Sequence, residues 1–182
     1  MRRDSIRDAV SASISLNIFN NHAERVRMTN IAQTVNVLQA MVLTEGPQLI
    51  LTPTYHVFDM YKGHQDATLL PTKVDAEQYV YDMYEMDKVS ASASMADDGS
   101  ILITLNNCDP NSSAKVDLIV RGLTSNNVSA RVLTASRMQD HNTFENPQQV
   151  APVPFDKIKI DGDALQFDAP PNSVVAVTVK QN

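Results

Sequence analysis

The sequence predicts a mainly β protein: an antiparallel β-sandwich, jelly-roll-like, over residues 73–182, preceded by a helix-strand-helix segment over residues 1–72. Three observations carry this. Apolar residues recur at helical spacing only near the N-terminus, so the chain changes regime around "DATLLPTKVD", residues 66–75. Two Asp-Gly pairs, Asp98-Gly99 and Asp161-Gly162, each divide two runs of alternating apolar residues, the mark of a hairpin. About seven short strands then follow at spacings of about 8 to 12 residues, the rhythm of a sandwich.

Taken in order, Ile6, Val10, Ile14 and Ile18 recur every four positions, with Ala9, Leu16 and Phe19 widening the stripe. This predicts a helix over residues 4–20 with a broad buried face and Asp4 as its N-cap. "NNHAE" breaks the pattern, and "RVRMTNIAQ" reads as a short buried strand over residues 26–32. A second helix starts at Thr52, where a capping threonine precedes a proline at the first helical position, and Gly63 stops it. Beyond residue 73 the two hairpins bracket "KVDLIVRG" and "NVSARVLTA", and the β-branched run "SVVAVTVK" closes the chain as a strand.

Composition narrows the function. The 182 residues are 43% hydrophobic, enough for a domain with its own core. With 21 acidic and 15 basic residues the net charge is -6, which gives no electrostatic reason to approach nucleic acid or an anionic membrane, so neither partner is expected. Cys108 stands alone and makes no intrachain disulfide, and no run approaches the roughly 18 apolar residues of a membrane helix. "MRRDSIRDAV" lacks the apolar core of a secretory signal.

Catalytic motifs are scarce. His56 and His64 lie eight apart near Asp59 and Asp66, but the HExxH spacing is absent, and the histidines read as solvated or structural. No GxSxG elbow occurs, Cys108 reads as a turn residue, and five scattered glycines make no phosphate cradle, so no metal or cofactor is expected. Glu45, Asp59, Asp66, Glu85 and Asp87 form no evident pair and read as solvated charge. The run "NIAQTVNVLQAMV" is more pointed, because Asn30, Gln33, Asn36 and Gln39 interrupt it at every third position. Asn36 and Gln39 either tie down loop backbone or meet a ligand. Gln33, at the end of the expected strand, is placed where an amide can both donate to and accept from sugar hydroxyls.

At this point longer segments become informative. "LNIFNNHAERVRMTNIAQTVNVLQAMVLTEG" with "LTPTYHVFDMYKGHQDATLL" resembles the last helix, strand and helix of the catalytic barrel in glycoside hydrolase family 51, the α-L-arabinofuranosidases. "HNTFENPQQVAPVPF" and "APPNSVVAVTV" resemble parts of that family's C-terminal sandwich. The resemblance implies a (β/α)8 barrel joined to a sandwich, of which residues 1–72 are an incomplete remnant, since such a barrel takes about 250 residues. It implies hydrolysis of terminal α-L-arabinofuranosyl groups with retention, an arabinofuranosyl-containing saccharide as substrate, and a homo-oligomer. In the family the acid/base glutamate follows an asparagine and the nucleophile precedes a tryptophan. This sequence has no Asn-Glu pair and no Trp, so both carboxylates are expected upstream of Met1, and the chain alone is expected to be inactive. Gln33 matches the glutamine that hydrogen-bonds the arabinose. The competing reading is a non-catalytic carbohydrate-binding or structural accessory sandwich, against which stand an aromatic content of 5% and the lack of tryptophan.

Overall fold

A computed structural model describes residues 4–32, 34–123 and 127–180. It has three layers: two helices, a six-stranded sheet and a three-stranded sheet. The helices are α1 (Ile6–Asn21) and α2 (Pro53–Tyr61), the latter running into a 3-10 turn, Lys62–His64. Between them lies a hairpin of β1 (Val42–Glu45) and β2 (Gln48–Leu51). The large antiparallel sheet is built from β3 (Thr68–Leu70), β6 (Val89–Met95), β7 (Ile101–Asn107), β9 (Val128–Thr134), β10 (Val153–Pro154) and β13 (Ser173–Val179), in the order β10-β9-β13-β7-β6-β3. The small sheet is β11-β12-β8, from β8 (Ala114–Ile119), β11 (Lys159–Asp161) and β12 (Ala164–Ala169). A separate hairpin, β4 (Gln78–Tyr81) and β5 (Tyr84–Asp87), stands before β6.

The large sheet is covered on both sides, which explains the apolar run of β13 over residues 174–177. Val175, Val177 and Val179 face Leu165, Phe167 and Ala169 of the small sheet in the sandwich core. Val174 and Ala176, the alternate residues, join Leu133 beneath Ile6, Ala9 and Val10 of α1 and Val57 and Met60 of α2. A strand buried on two faces has no use for polar alternation. β6, "VSASASM", shows the complementary solution: Ala91 and Ala93 turn to the sandwich core, while Ser90, Ser92 and Ser94 turn to the helices.

Those serines belong to a polar network beneath the second half of α1. Asn17 is fully buried. Its Oδ1 accepts from Tyr61 Oη at 2.9 Å, Ser92 Oγ at 3.0 Å and Thr104 Oγ1 at 3.1 Å. Its Nδ2 donates to Ser90 O and Ser90 Oγ, both at 3.1 Å, and to Asn106 Oδ1 at 3.3 Å. Asn20 Nδ2 donates to Ser92 Oγ at 3.1 Å and Asn21 Nδ2 to Ala91 O at 2.8 Å. The last two turns of α1 are thus held by amides over hydroxyls, and the first two by aliphatic packing.

Several expectations need correction. Residues 26–32 form no strand, because a strand exists only through its ladder and nothing among the described residues pairs with them; the one bridge nearby is Val35 to Val42. The stripe on α1 does not stay buried: Ile6 and Val10 are buried and Ile14 half-buried, but Ile18 is 51% exposed. A spacing of four residues advances about 40° around a helix each time, so after three steps the row has rotated off the core face. Ser13, Leu16 and Asn17 replace it. This stripe packs on the sandwich's own sheet. The N-cap is Ser5, not Asp4, with Asp8 accepting from Ser5 N and Ser5 Oγ at 2.8 Å each. α2 agrees with its sequence signals: Thr52 caps it, accepting from Tyr55 N at 3.3 Å. Gly63 also permits close approach, since a Cβ there would lie 2.9 Å from Leu102 Cδ2.

His64 extends the network, with Nδ1 2.7 Å from Ser94 Oγ and Nε2 2.9 Å from Thr104 Oγ1. Both ring nitrogens of the neutral imidazole thus have hydroxyl partners, one bond donated by the ring and one accepted by it. Burial pushes the His64 pKa down to about 4. A histidine kept neutral in the fold but titrating near 6.5 when unfolded gives stability that is fully present above about pH 6.5 and is lost as pH falls toward 4. The loss approaches 1.4 kcal/mol per pH unit and totals roughly 3 kcal/mol. Urea unfolding from pH 7.5 to 4.5 is therefore expected to show this acid-side decline, and His64→Gln to flatten it by that amount.

Candidate functional site

The described residues of the amide-rich segment are mostly exposed, and hydrogen bonds to the β1–β2 hairpin hold them. Val42 N donates to Thr34 O at 3.0 Å and Asn36 N to Val42 O at 3.1 Å. Asn36 adopts a left-handed backbone, φ 54°, and clamps the hairpin with both ends of its amide: Oδ1 accepts from Thr44 N and Nδ2 donates to Thr44 Oγ1, each at 2.8 Å. Gln39 also has positive φ, 59°, a conformation that glycine and asparagine adopt most readily. Asn30, Asn36 and Gln39 are all exposed, so none needs a buried partner. Gln33 lies outside the described residues.

This loop and the β1–β2 hairpin enclose a groove of about 380 Å³ with an apolar floor of Val37, Ala40, Leu43 and Ile50 and an aromatic rim at Phe144. Asp4 and Glu45 bring carboxylates to its lining. Asn142 fixes its far wall. Buried, it donates from Nδ2 to Leu51 O at 2.8 Å and Val150 O at 3.0 Å, and accepts from Val150 N at 2.7 Å. The same loop turns carbonyls on the start of α1: Ile6 N donates to Asp140 O at 3.0 Å and Arg7 N to Met138 O at 3.3 Å. Nothing in "QDHNTF" marks Asn142 as a buried tie, since asparagine in a polar loop reads as solvated.

The other candidates are dispersed. Asp59 is held between Lys62, 2.7 Å away, and Arg131, 3.0 Å away, and these partners, Lys62 foremost, keep its carboxyl below the usual range. Asp66 occupies a left-handed turn, φ 58°. Glu85 and Asp87 are exposed on the β4–β5 hairpin, where Asp87 accepts from Gln78 Nε2. His56 is half-buried, and burial lowers its pKa. Cys108 is not in a turn: it is buried, extends the ladder through Cys108 N to Lys88 O at 2.9 Å, and its thiol is pushed up by burial, the reverse of an activated nucleophile. Among the described residues no three His, Cys, Asp or Glu side chains are grouped as metal ligands.

Residues 1–173 match the family described as the α-L-arabinofuranosidase C-terminal domain. The chain belongs to that family. It is 40% identical over 180 residues to an intracellular exo-α-L-arabinofuranosidase of Bacteroides ovatus, a match covering 98% of this chain and 35% of that protein. The crystal structure of a family 51 arabinofuranosidase from Xanthomonas axonopodis pv. citri superposes with a TM-score of 0.94 at 45% identity, over 98% of this chain and 36% of that one. The arabinose complex of the Thermotoga maritima α-L-arabinofuranosidase gives 0.85 at 26%, over 98% and 39%. The chain spans 35% and 31% of the length of two of the curated relatives it matches. Its antiparallel sandwich is the sandwich of those enzymes.

In this domain Asn142 ties β2 to the loop that caps α1. Asn142→Ala leaves two carbonyls and one amide without their partner and is expected to lower stability by about 2 to 3 kcal/mol, read from the urea midpoint.

Proposed function

We propose that the chain serves in a retaining α-L-arabinofuranosidase, a glycoside hydrolase that removes terminal α-L-arabinofuranosyl groups from arabinose-containing polysaccharides or oligosaccharides. The observation that carries this is the 40% identity, across nearly the whole chain, to an exo-acting enzyme of that activity. Residues 1–72 are read as the segment that ends the catalytic barrel, with Thr68–Leu70 already paired into the sheet of the sandwich, and residues 73–182 as the rest of that sandwich. Exposed apolar side chains at Met28, Leu38 and Leu49 suit this reading, for they lie in the segment that the rest of a barrel would cover. The complete enzyme is proposed to be a homo-oligomer.

Retaining hydrolysis needs two carboxyl groups about 5 to 5.5 Å apart, one as acid/base and one as nucleophile, and calls for no cofactor. Neither the Asn-Glu nor the Glu-Trp pair of the family occurs in this sequence, so the proposal assigns both groups to barrel strands outside it. Gln33 is proposed to hold the arabinose hydroxyls. One neutral hydrogen bond contributes about 0.5 to 1.5 kcal/mol, against the 8 kcal/mol or more that an enzyme takes from a barrier. Gln33 can position a substrate; it cannot turn one over. A chromogenic α-L-arabinofuranoside is therefore expected to show no turnover by the 182-residue chain, and Gln33→Ala in the complete enzyme to lower kcat/KM by up to about tenfold. Turnover by the chain itself, abolished by replacing one of its own carboxylates, would refute the assignment.

A further inference from the structure

We propose that Asp161-Gly162, at the turn of the β11–β12 hairpin, is a site of spontaneous covalent modification, where aspartate converts to isoaspartate through a cyclic imide, and that Asp98-Gly99 resists the same change. Both pairs occupy hairpin turns, and both glycines have positive φ, 79° at Gly99 and 61° at Gly162. The dipeptide is the same; its surroundings are not.

The reaction is intramolecular. The glycine nitrogen attacks the side-chain carboxyl carbon of the aspartate before it, and the amide hydrogen leaves with the carboxyl OH as water. Glycine favours the closure because it has no Cβ to obstruct the ring. Water then opens the five-membered imide at either carbonyl, which restores aspartate or routes the main chain through the aspartate Cβ. The net mass is unchanged, and neither a redox partner nor an enzyme is needed.

Asp98 is held away from this path. Its Oδ1 accepts from Ser100 N at 2.9 Å and from Ser100 Oγ at 2.6 Å, while Gly99 N donates to Ala96 O at 2.9 Å. The hydrogen bonds from Ser100 also keep the Asp98 carboxyl below its usual range, so little of it is in the protonated form that loses water. Asp161 has none of these ties. It is exposed, and among the described residues neither its carboxyl nor the Gly162 amide has a hydrogen-bond partner. A Cβ on Gly162 would meet nothing within 4 Å, so the turn is open on that side.

The change reaches the core. Asp161 pairs with Ala164 across a two-residue loop, and that register sets Leu165 and Phe167 into the sandwich interior. One added main-chain atom at Asp161 breaks the pairing where β12 begins. The modification is independent of the proposed activity.

The test is to keep the 182-residue chain in warm neutral buffer made with heavy-oxygen water and to sequence its tryptic peptides 89–115 and 160–180 by electron-transfer fragmentation. Isoaspartate is expected several-fold faster at residue 161 than at residue 98, with one heavy oxygen atom gained per event. In guanidinium, where both turns are unfolded, the two rates should converge. Ser100→Ala should raise the rate at Asp98 and leave that at Asp161 unchanged. Asp161→Glu, whose ring would need six members, should remove the product with an unchanged thermal melt. The proposal is overturned if the folded chain forms isoaspartate no faster at 161 than at 98, or gains it without heavy oxygen. A contrast that persists in guanidinium, or an Asp98 rate indifferent to Ser100→Ala, would overturn it too.

Discussion

The arrangement of this domain depends on one buried amide. Asn17 sits where α1 crosses β6 and β7, and every polar atom of its side chain is engaged by Tyr61, Ser90, Ser92, Thr104 or Asn106. An amide buried without partners costs about 1 to 3 kcal/mol, so the helix gains from this network only in one register. Aliphatic packing at Ile6 and Val10 holds the helix on the sheet but tolerates sliding; the amide fixes where it stops.

From that docking follow the exposed and covered faces of the whole chain. With α1 and α2 in place, Leu133, Val174 and Ala176 have an apolar cover, and the large sheet becomes the middle layer of three. The N-terminal segment and the sandwich therefore share a core although composition separates them at residue 73. The β1–β2 hairpin is carried along, since it connects the helices in sequence and Asn142 ties its end to the loop that caps α1. The loop braced by Asn36 and the wall braced by Asn142 take their places from that docking.

How much of this was legible depends on how local the signal is. α2 could be read from Thr52, Pro53 and Gly63, because a cap, a first-turn proline and a stop act over a few residues. The two Asp-Gly hairpins could be read for the same reason. The extent of α1 was legible but its buried face was not, since the row of isoleucines drifts off the core and asparagines take over. The strands β1 and β2 on either side of Gly46-Pro47 went unread, although glycine ahead of one further loop residue is a hairpin signal. The β4–β5 turn uses Asp82, φ 55°, in place of glycine. Ser90, Ser92 and Asn17 could not be recognised as core residues, because a buried hydroxyl and a solvated one look alike until their partners, some seventy residues away, are known. The family came from long resemblant segments rather than from any pattern of spacing.

The central claim is that α1 and the sandwich are one cooperative unit, locked through Asn17. Hydrogen exchange of the native chain, followed residue by residue under rising urea, tests it most directly. The account predicts that the amides of α1 from Val10 to Asn17 share the opening free energy and urea dependence of those in β7 and β13. Exchange of α1 through a separate, low-energy opening, with the strands still protected, would contradict it.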